Sequence, residues 1–373
     1  MKINSLFRFA LLPLIAISTV IILSCSENGD MMPMPPGPTE IPDINIENLL
    51  VNQINEIIIP TIEAYQRGMD GLLNSVQQFT AEISQSNLES LRSSYLEANL
   101  YYQAAAVHNY FATANLDLVN TSNLYPVDVA LLEEFIETAT YNFNSAPQQR
   151  ANGFPAMDYL LYGLADPIVS FSGSPLTATY LLELTTAMKD KADLLVERWT
   201  GELLQNFVDN GGVELGSSLS VQLNDIMFYY EDHVRGNKVG IPIGRLGPND
   251  TPFESDQTKI EAYYQSLVDG NEDVALGMVR AAIEEMEDIY LGTGVSEMNG
   301  VGYDDLLLGI DQQSLDQDIK AQYQEIYNQI DNRTVIVGDE SLYNSVQGLV
   351  TLYKSDLFPV LNVQDADGSN DGD

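Results

Sequence analysis

The spacing of apolar residues constrains this chain more than any other feature of its sequence. Between residues 54 and 79, large apolar side chains return at every third or fourth position, at Ile54, Ile57, Ile58, Ile62, Tyr65, Met69, Leu72, Leu73, Val76 and Phe79. This spacing places them on one face of an α-helix, whereas a strand would alternate them at every second residue. Pro60 predicts a kink in this helix or its true start.

Similar patterns follow along the rest of the chain. Ser86 and Glu89 have the spacing of a capping box at the start of a second helix. Further helices are predicted from residue 126, over 153–163, from 176 past 199, and over 217–235, 269–291, 314–330 and 341–357. Runs of alternating β-branched residues are almost absent. The chain is therefore predicted to be all-α, with two four-helix-bundle-like domains packed together.

The N-terminus has the pattern of an export signal. Lys2 and Arg8 flank a short basic region, and the apolar run Phe9–Leu23 that follows is too short for a comfortable membrane span. Residues 1–24 are therefore predicted to be a signal peptide, with lipid attached to Cys25, the only cysteine. An ordinary secretory signal with an incidental cysteine is the alternative. The lipid would anchor the protein to a bacterial outer membrane, facing the periplasm or the cell surface.

The remaining chain divides by composition into four parts. Residues 25–45 form a lipidated, proline-rich tether, 46–175 an N-terminal helical bundle, 176–364 a C-terminal helical bundle and 365–373 an acidic tail. Aligning MDYLLYG with YDDLLLG places Asp158 over Asp304, which fits either an internal duplication or a chance match.

Charge and cysteine content restrict the partners. The chain carries 16 Lys and Arg against 54 Asp and Glu, a formal net charge of −38 at pH 7. Nucleic acid is not expected to bind, because phosphate contacts need a basic surface. The negative field attracts cations and basic ligands, and it also keeps an exported protein soluble. A single cysteine allows no intramolecular disulfide and no thiolate metal cluster.

One short stretch, GFPAMDYLLYG at residues 153–163, sets a carboxylate among apolar residues. Gly153 is expected to break the incoming chain, Pro155 suits a first helical turn, and Gly163 suits a left-handed helix end. Asp158 has two interpretations. It accepts hydrogen bonds from a neighbouring helix end or a tyrosine, as a buried carboxylate must, or it lines a ligand pocket between the bundles.

A second candidate stretch is HVRGNKVGIPIGR at residues 233–245, which its glycines and proline predict to be a non-helical connection. Arg235, Lys238 and Arg245 concentrate basic charge there. They are predicted either to pair with acids across the domain interface or to contact an anion or carboxylate opposite Asp158. Carboxylates are plentiful in so acidic a chain, which favours pairing.

Several segments resemble the imelysin family, also labelled peptidase M75. IIIPTIEAYQRGMDGLLNSVQQF resembles the family's first helix, LYPVDVALLEEFI with GFPAMDYLLYG its signature region, KVGIPIG its K-x-x-x-P-x-G segment and LNVQDADGSNDGD its acidic C-terminus. The resemblance implies two packed helical bundles, export to the cell envelope and a site at the bundle interface. Members of the family are linked to iron uptake and to peptidase activity.

The family's G-x-H-x-x-E motif is altered in this chain. Gly153 matches its glycine, but Pro155 stands at the histidine position and Asp158 at the glutamate position. Histidine and glutamate three residues apart could hold one metal together, whereas proline has no ligand atom. No metal site is therefore assigned, with Asp158 the one candidate ligand, and the resemblance leaves iron or another divalent cation as the candidate cofactor. His108 is expected to be a core hydrogen-bonding residue.

These observations predict an exported lipoprotein that binds a ligand between the bundles, in a role linked to iron uptake. The candidate binding residues are Gly153, Pro155, Asp158, Arg235 and Lys238, and the partner is a small ligand, a metal or an envelope protein. One alternative is a metallopeptidase, against which the missing histidine and glutamate argue. Another is a structural or protein-interaction lipoprotein. A polar pocket would favour ligand capture, and a closed, dry interface would favour the structural role.

Overall fold

Helices form the fold, as the apolar spacing predicts. The computed structural model describes residues 46–245, 254–294 and 300–366, and within these ranges it contains no β-strand, which confirms the all-α class. The predicted signal peptide, Cys25, the tether up to residue 45 and the acidic tail from residue 367 lie outside the described residues.

The helices follow one another through both halves of the chain. The first eight are α1 (Ile46–Asn52), α2 (Ile59–Ala81), α3 (Gln85–Ala105), α4 (Leu118–Ser122), α5 (Val129–Thr138), α6 (Gly153–Asp158), α7 (Pro167–Gly173) and α8 (Pro175–Thr200). The next eight are α9 (Glu202–Asp209), α10 (Ser218–Tyr229), α11 (Tyr263–Asp269), α12 (Asp273–Leu291), α13 (Tyr303–Gly309), α14 (Gln313–Asp331), α15 (Ser341–Thr351) and α16 (Phe358–Val360). Segments of π-helix extend several of them, at Gln53–Ile58, Tyr159–Gly163, Tyr230–Gly240 and Leu352–Leu357. None of the helices in the described ranges is both long and apolar enough to cross a bilayer.

The N-terminal helix is one continuous rod that changes its hydrogen-bonding pattern near a proline. α1 runs into the π-helical segment Gln53–Ile58 and this segment into α2, with Pro60 in the first turn of α2. Proline has no N–H to donate and its ring crowds the preceding turn, so the wider π-helical turn before it accommodates the ring. The predicted kink or start at Pro60 is therefore a change of helix type.

Two predicted helix boundaries are wrong. α3 is capped by Ser84 and not by Ser86, because the Ser84 side chain accepts the Asn87 N–H at 3.4 Å. The stretch from residue 233 was expected to be non-helical, but Tyr230–Gly240 is π-helical and continues α10. Gly244 has a left-handed φ of +79°, whereas Gly236 and Gly240 do not adopt that conformation. No left-handed glycine therefore ends the helix before residue 240.

One apolar core joins the two halves of the described chain. α2 packs against α3 and α8, and α12 packs against α3. Buried apolar side chains from both halves form one cluster, and the described residues fall within a single compact unit. α8, predicted to open the C-terminal bundle, therefore packs with helices of the first half. The division into two bundles after residue 175 stays a prediction.

The last described residues lie against α10. The Ala366 N–H donates to Asn224 Oδ1 at 2.8 Å, and the Asn224 amide donates to the Gln364 carbonyl at 3.1 Å. Lys354 pairs with Asp365 at 3.3 Å. The start of the predicted acidic tail is therefore held on the helical body.

Candidate functional site

The signature stretch begins at a glycine that its backbone requires. Gly153 opens α6 with φ +72°, and a Cβ there would lie 2.1 Å from the carbonyl oxygen of Ser122. The Asn152 side chain accepts the Gly153 N–H at 2.8 Å and so caps the helix. Gly153 thereby lets α6 start against α4, and this places Asp158 at the other end of the helix.

Gly163 closes the stretch for a different reason from the predicted one. It does not adopt the left-handed conformation, and the π-helical segment Tyr159–Gly163 ends in the extended residue Leu164. A Cβ on Gly163 would lie 2.6 Å from Tyr159 Cδ2 and 2.7 Å from Tyr264 Cδ1. The glycine is needed because α11 approaches closely, and the predicted left-handed helix end is wrong.

Asp158 holds the start of α11. It is 2% exposed, and its two carboxylate oxygens accept the backbone N–H groups of Tyr264 at 2.8 Å and Gln265 at 3.0 Å. A helix leaves its first N–H groups without internal partners, so this carboxylate caps α11 from another helix. Burial raises the pKa of Asp158 to about 7, against the lowering effect of the two N–H donors. The hydrogen-bonding interpretation of Asp158 therefore matches its contacts.

Asp158 also borders a cavity of about 300 Å³. Pro155, Tyr125, Tyr263 and Tyr264 are among the other residues that line it. The two interpretations of Asp158 are therefore compatible, because the carboxylate that caps α11 also contributes to a cavity wall.

Asp304, which aligns with Asp158, has a different environment. It lies in the first turn of α13, accepts from Lys320 Nζ at 3.0 Å and accepts the Asp305 N–H of its own helix at 2.9 Å. Asp158 lies at the end of its helix and caps a different one. The two positions therefore do not confirm an internal duplication.

Lys238, in the π-helical segment Tyr230–Gly240, forms a buried ion pair with Glu261, which lies just before α11. They are 2% and 3% exposed, and Lys238 Nζ donates directly to Glu261 Oε2. Lys238 also donates to Gln103 Oε1 at 2.6 Å. Glu261 Oε1 accepts from Gln103 Nε2 at 2.7 Å and from Asn123 Nδ2 at 2.5 Å. Three donors around one carboxylate offset the cost of removing its charge from water.

The other two basic residues of the 233–245 stretch contact acids elsewhere. Arg235 is 3% exposed, donates to Gln347 at 2.7 Å and lies 3.6 Å from Glu231. Arg245 is about half exposed and lies 3.9 Å from Glu340. Each of the three basic residues thus has a carboxylate neighbour, and Lys238 alone pairs with an acid of the segment that leads into α11.

A cavity of about 730 Å³ shares Tyr125 and Pro126 with the smaller one. Polar and charged side chains from four segments border it: Asn120, Asn123, Arg150, His233, Asn237, Glu254, Asp256 and Lys259. Burial, together with the nearby Lys238 charge, lowers the pKa of His233 to about 4. The imidazole is therefore neutral at pH 7. The volume matches that of small-molecule sites, about 300–1,000 Å³.

His108 links the two halves of the core. It is fully buried, and its Nε2 lies 2.5 Å from Glu285 Oε1. Thr61 Oγ1 lies 3.1 Å from each oxygen of the same carboxylate, and the Trp199 indole donates to the His108 carbonyl at 3.0 Å. The expectation that His108 is a core hydrogen-bonding residue is confirmed.

The residues at the position of the family motif do not suit a metal ion. Pro155 offers no donor atom, and both oxygens of Asp158 already accept backbone N–H groups. Over the described ranges, no three His, Cys, Asp or Glu side chains come together as metal ligands would.

Glu261, Asn123 and Glu285 were not among the site residues predicted from the sequence. Glu285 carried a usable signal, because it falls on the apolar face of α12 between Ala282 and Ile289. Glu261 and Asn123 lie in connections without periodicity, and the fold alone brings them to Lys238.

Comparisons with known proteins agree with this fold. The sequence profile of the family described as Imelysin (peptidase M75) matches residues 58–347. The solved structure of an imelysin-like protein from Psychrobacter arcticum 273-4 has a TM-score of 0.67 and 15% identity, with 86% of this chain and 96% of that chain covered. That of a candidate iron-regulated protein A precursor from Parabacteroides distasonis ATCC 8503 has a TM-score of 0.66 and 16% identity, with 85% and 94% covered. A search of curated proteins found no match. Because the family profile spans most of the chain, this protein belongs to the imelysin family.

Proposed function

We propose that this imelysin is an exported, lipid-anchored protein that captures a small ligand at the bacterial cell envelope, in a role linked to iron. The observation that carries the proposal is the cavity of about 730 Å³ beside Tyr125. Its wall combines apolar side chains with polar and charged ones, and its volume lies in the range of small-molecule sites.

The size and polarity of this cavity support capture over a purely structural role. Asn120, Asn237 and His233 border a space of about 730 Å³. A polar pocket of this size favours capture of a ligand, whereas a closed, dry interface would favour the structural role.

The metallopeptidase alternative needs several ligands around one metal, and Pro155 and Asp158 do not supply them.

The link to iron rests on the family and on the description of the Parabacteroides distasonis structure. We expect the amount of the protein in its host to rise when an iron chelator is added to the medium. An unchanged amount would contradict the link.

The anchor is tested through Cys25, which precedes the tether. The Cys25→Ala protein should lose its lipid in mass spectrometry and leave the membrane fraction, because an acyl chain supplies the membrane affinity. Ser26→Ala is the matched control and should stay with the membrane. If the Cys25→Ala protein also stays, the anchor proposal is wrong.

Capture is tested by native mass spectrometry of the protein released from its host's membranes with mild detergent. We expect a non-covalent ligand mass, lost in Asn120→Trp, which places an indole in the cavity wall. Asn332→Trp, at an exposed helix end, is the control and should retain the ligand. A protein without bound mass, or an Asn120→Trp protein that keeps it, would contradict capture in this cavity.

A further inference from the structure

We infer that a second cavity, walled by two carboxylates and three aromatic rings, binds a small organic cation. This space of about 260 Å³, here called the Asp225 cavity, is lined by residues that follow α3, by α4 and by α10 with its π-helical extension. It shares Val119, Asn120 and His233 with the cavity of about 730 Å³. The inference therefore goes beyond the proposed capture, because it concerns a different space and a different carboxylate.

The wall of the Asp225 cavity carries an excess of negative charge. Asp117 and Asp225 border it, and its described lining residues include no lysine or arginine. His233, which also borders it, is neutral at pH 7, because burial and the Lys238 charge lower its pKa to about 4. A cavity with charge of one sign favours a ligand of the opposite sign.

Asp225 is the carboxylate that a ligand would contact. It is half-buried on α10, and within the described ranges its side chain has no hydrogen bond or ion pair. Its charge contributes to the raised pKa of Tyr110, another residue of the wall, so the carboxylate lies near that ring. Burial raises the pKa of Asp225 to about 6, which leaves it largely ionised at pH 7. A cation in the cavity would supply the compensation that this charge lacks.

Asp117 contributes charge to the cavity and already has partners of its own. Its Oδ1 accepts from Asn120 at 2.7 Å and its Oδ2 from Gln149 at 3.4 Å. Both donors are neutral amides, so the carboxylate keeps its charge. The charge of Asp117 also acts on Lys191, whose pKa it raises against the effect of burial. Asp117 therefore adds to the field, whereas Asp225 is the group left to pair with a ligand.

The aromatic and apolar part of the wall favours an organic cation over a metal ion. The rings of Tyr110, Phe228 and Tyr229 border the cavity, together with Ala106 and Val107. Aromatic faces attract ammonium groups, and the apolar side chains suit a hydrocarbon body. Over the described ranges, no three His, Cys, Asp or Glu side chains are placed as metal ligands would be. The volume lies just below the usual range of small-molecule sites, which restricts the ligand to a small amine or quaternary ammonium.

The test is titration calorimetry of the purified protein with benzylamine, phenethylamine and choline. Each is paired with its uncharged isostere: benzyl alcohol, 2-phenylethanol and 3,3-dimethylbutanol. We expect at least one cation to bind about tenfold more tightly than its isostere. Asp225→Asn keeps the shape of the side chain and should remove that advantage. Asp318→Asn, at an exposed position of α14, is the matched control and should bind like the parent protein.

Two further variants locate the bound cation. Phe228→Leu keeps an apolar side chain but removes a ring, so it should weaken the binding of the cation about two- to fivefold. Asn237→Ala changes a residue that borders the larger cavity and not the Asp225 cavity, so it should leave this binding unchanged.

Three results would overturn the inference: none of the cations binds, the isosteres bind as tightly as the cations, or Asp225→Asn binds the cations like the parent protein. Each of them leaves capture in the larger cavity intact, because that proposal depends on the ligand mass of the host-derived protein. Conversely, a host-derived protein without bound mass that still binds a cation through Asp225 would remove capture and retain this inference.

Discussion

Two carboxylates near the start of α11 are buried by different means. Glu261 accepts from Lys238, Gln103 and Asn123, so a cation and two amides compensate its charge. Asp158 accepts two backbone N–H groups, and burial raises its pKa to about 7. The charge of Glu261 is therefore compensated mainly by an ion pair, whereas Asp158 stabilises the start of α11 at some cost in desolvation.

Substitution of Asp158 distinguishes a structural acid from one kept for a ligand. Asp158→Leu strands two N–H donors at about 1–3 kcal/mol each, whereas Asp158→Asn keeps one acceptor oxygen and should cost less. Asp128→Asn is the control, because Asn caps a helix about as well as Asp does. Thermal melts of the three variants and the parent protein give their order of stability. An Asp158→Asn protein more stable than its parent would contradict the structural role.

The Lys238–Glu261 pair should show strong coupling. Lys238→Met alone leaves a buried, uncompensated carboxylate, and we expect a loss of about 3–5 kcal/mol in unfolding free energy. Adding Glu261→Gln removes that charge, so the double variant should lose less than the two single losses combined. Urea unfolding of the four proteins measures the coupling, and additive losses would show that the two side chains act independently.

At the scale of elements, helix faces were predictable and helix ends were less so. α2, α8, α12 and α14 bury apolar faces, and a face repeats locally in sequence. The reason for Gly163 lies outside its helix, in the close approach of Tyr264. A local pattern carries no information about such an approach, which is why a left-handed helix end was predicted there.

Two glycine-to-alanine changes should have opposite effects. Gly153→Ala places an alanine at φ +72°, with its Cβ against the Ser122 carbonyl. We expect the free energy of unfolding to fall by about 1–3 kcal/mol because of the backbone strain. Gly71→Ala lies in mid-α2 with open space around it and should gain about 0.5–1 kcal/mol. Chemical denaturation measures both. Similar stabilities for the two variants would show that Gly153 is not constrained as described.

At the scale of the whole molecule, the cavity could not be predicted from the sequence. Its wall comes from residues near 120, 150, 237 and 256, and no motif joins these segments. The family resemblance identified Pro155 and Asp158, which border the smaller cavity. The clustering of basic residues identified Lys238, which pairs with Glu261, the acid that also accepts a hydrogen bond from Asn123.

Stability should fall as pH rises from about 4 to about 7. Burial raises the pKa of Asp158 and Asp288 to about 7 and of Asp225 to about 6, so in this range the folded state binds more protons than the unfolded state. His233, with its lowered pKa, opposes this trend as a single group. We expect a higher melting temperature near pH 5 than near pH 8, and a smaller difference in Asp225→Asn. A melting temperature that rises across this range would contradict these pKa directions.

The most direct test of ligand capture is a crystal structure of the protein purified from its own host's membranes. Capture in this cavity predicts density for a bound molecule in the space of about 730 Å³, within hydrogen-bond distance of a polar side chain of the wall such as Asn120 or Asn237. Density for ordered water alone in this cavity, or for a ligand bound only elsewhere on the molecule, would contradict it.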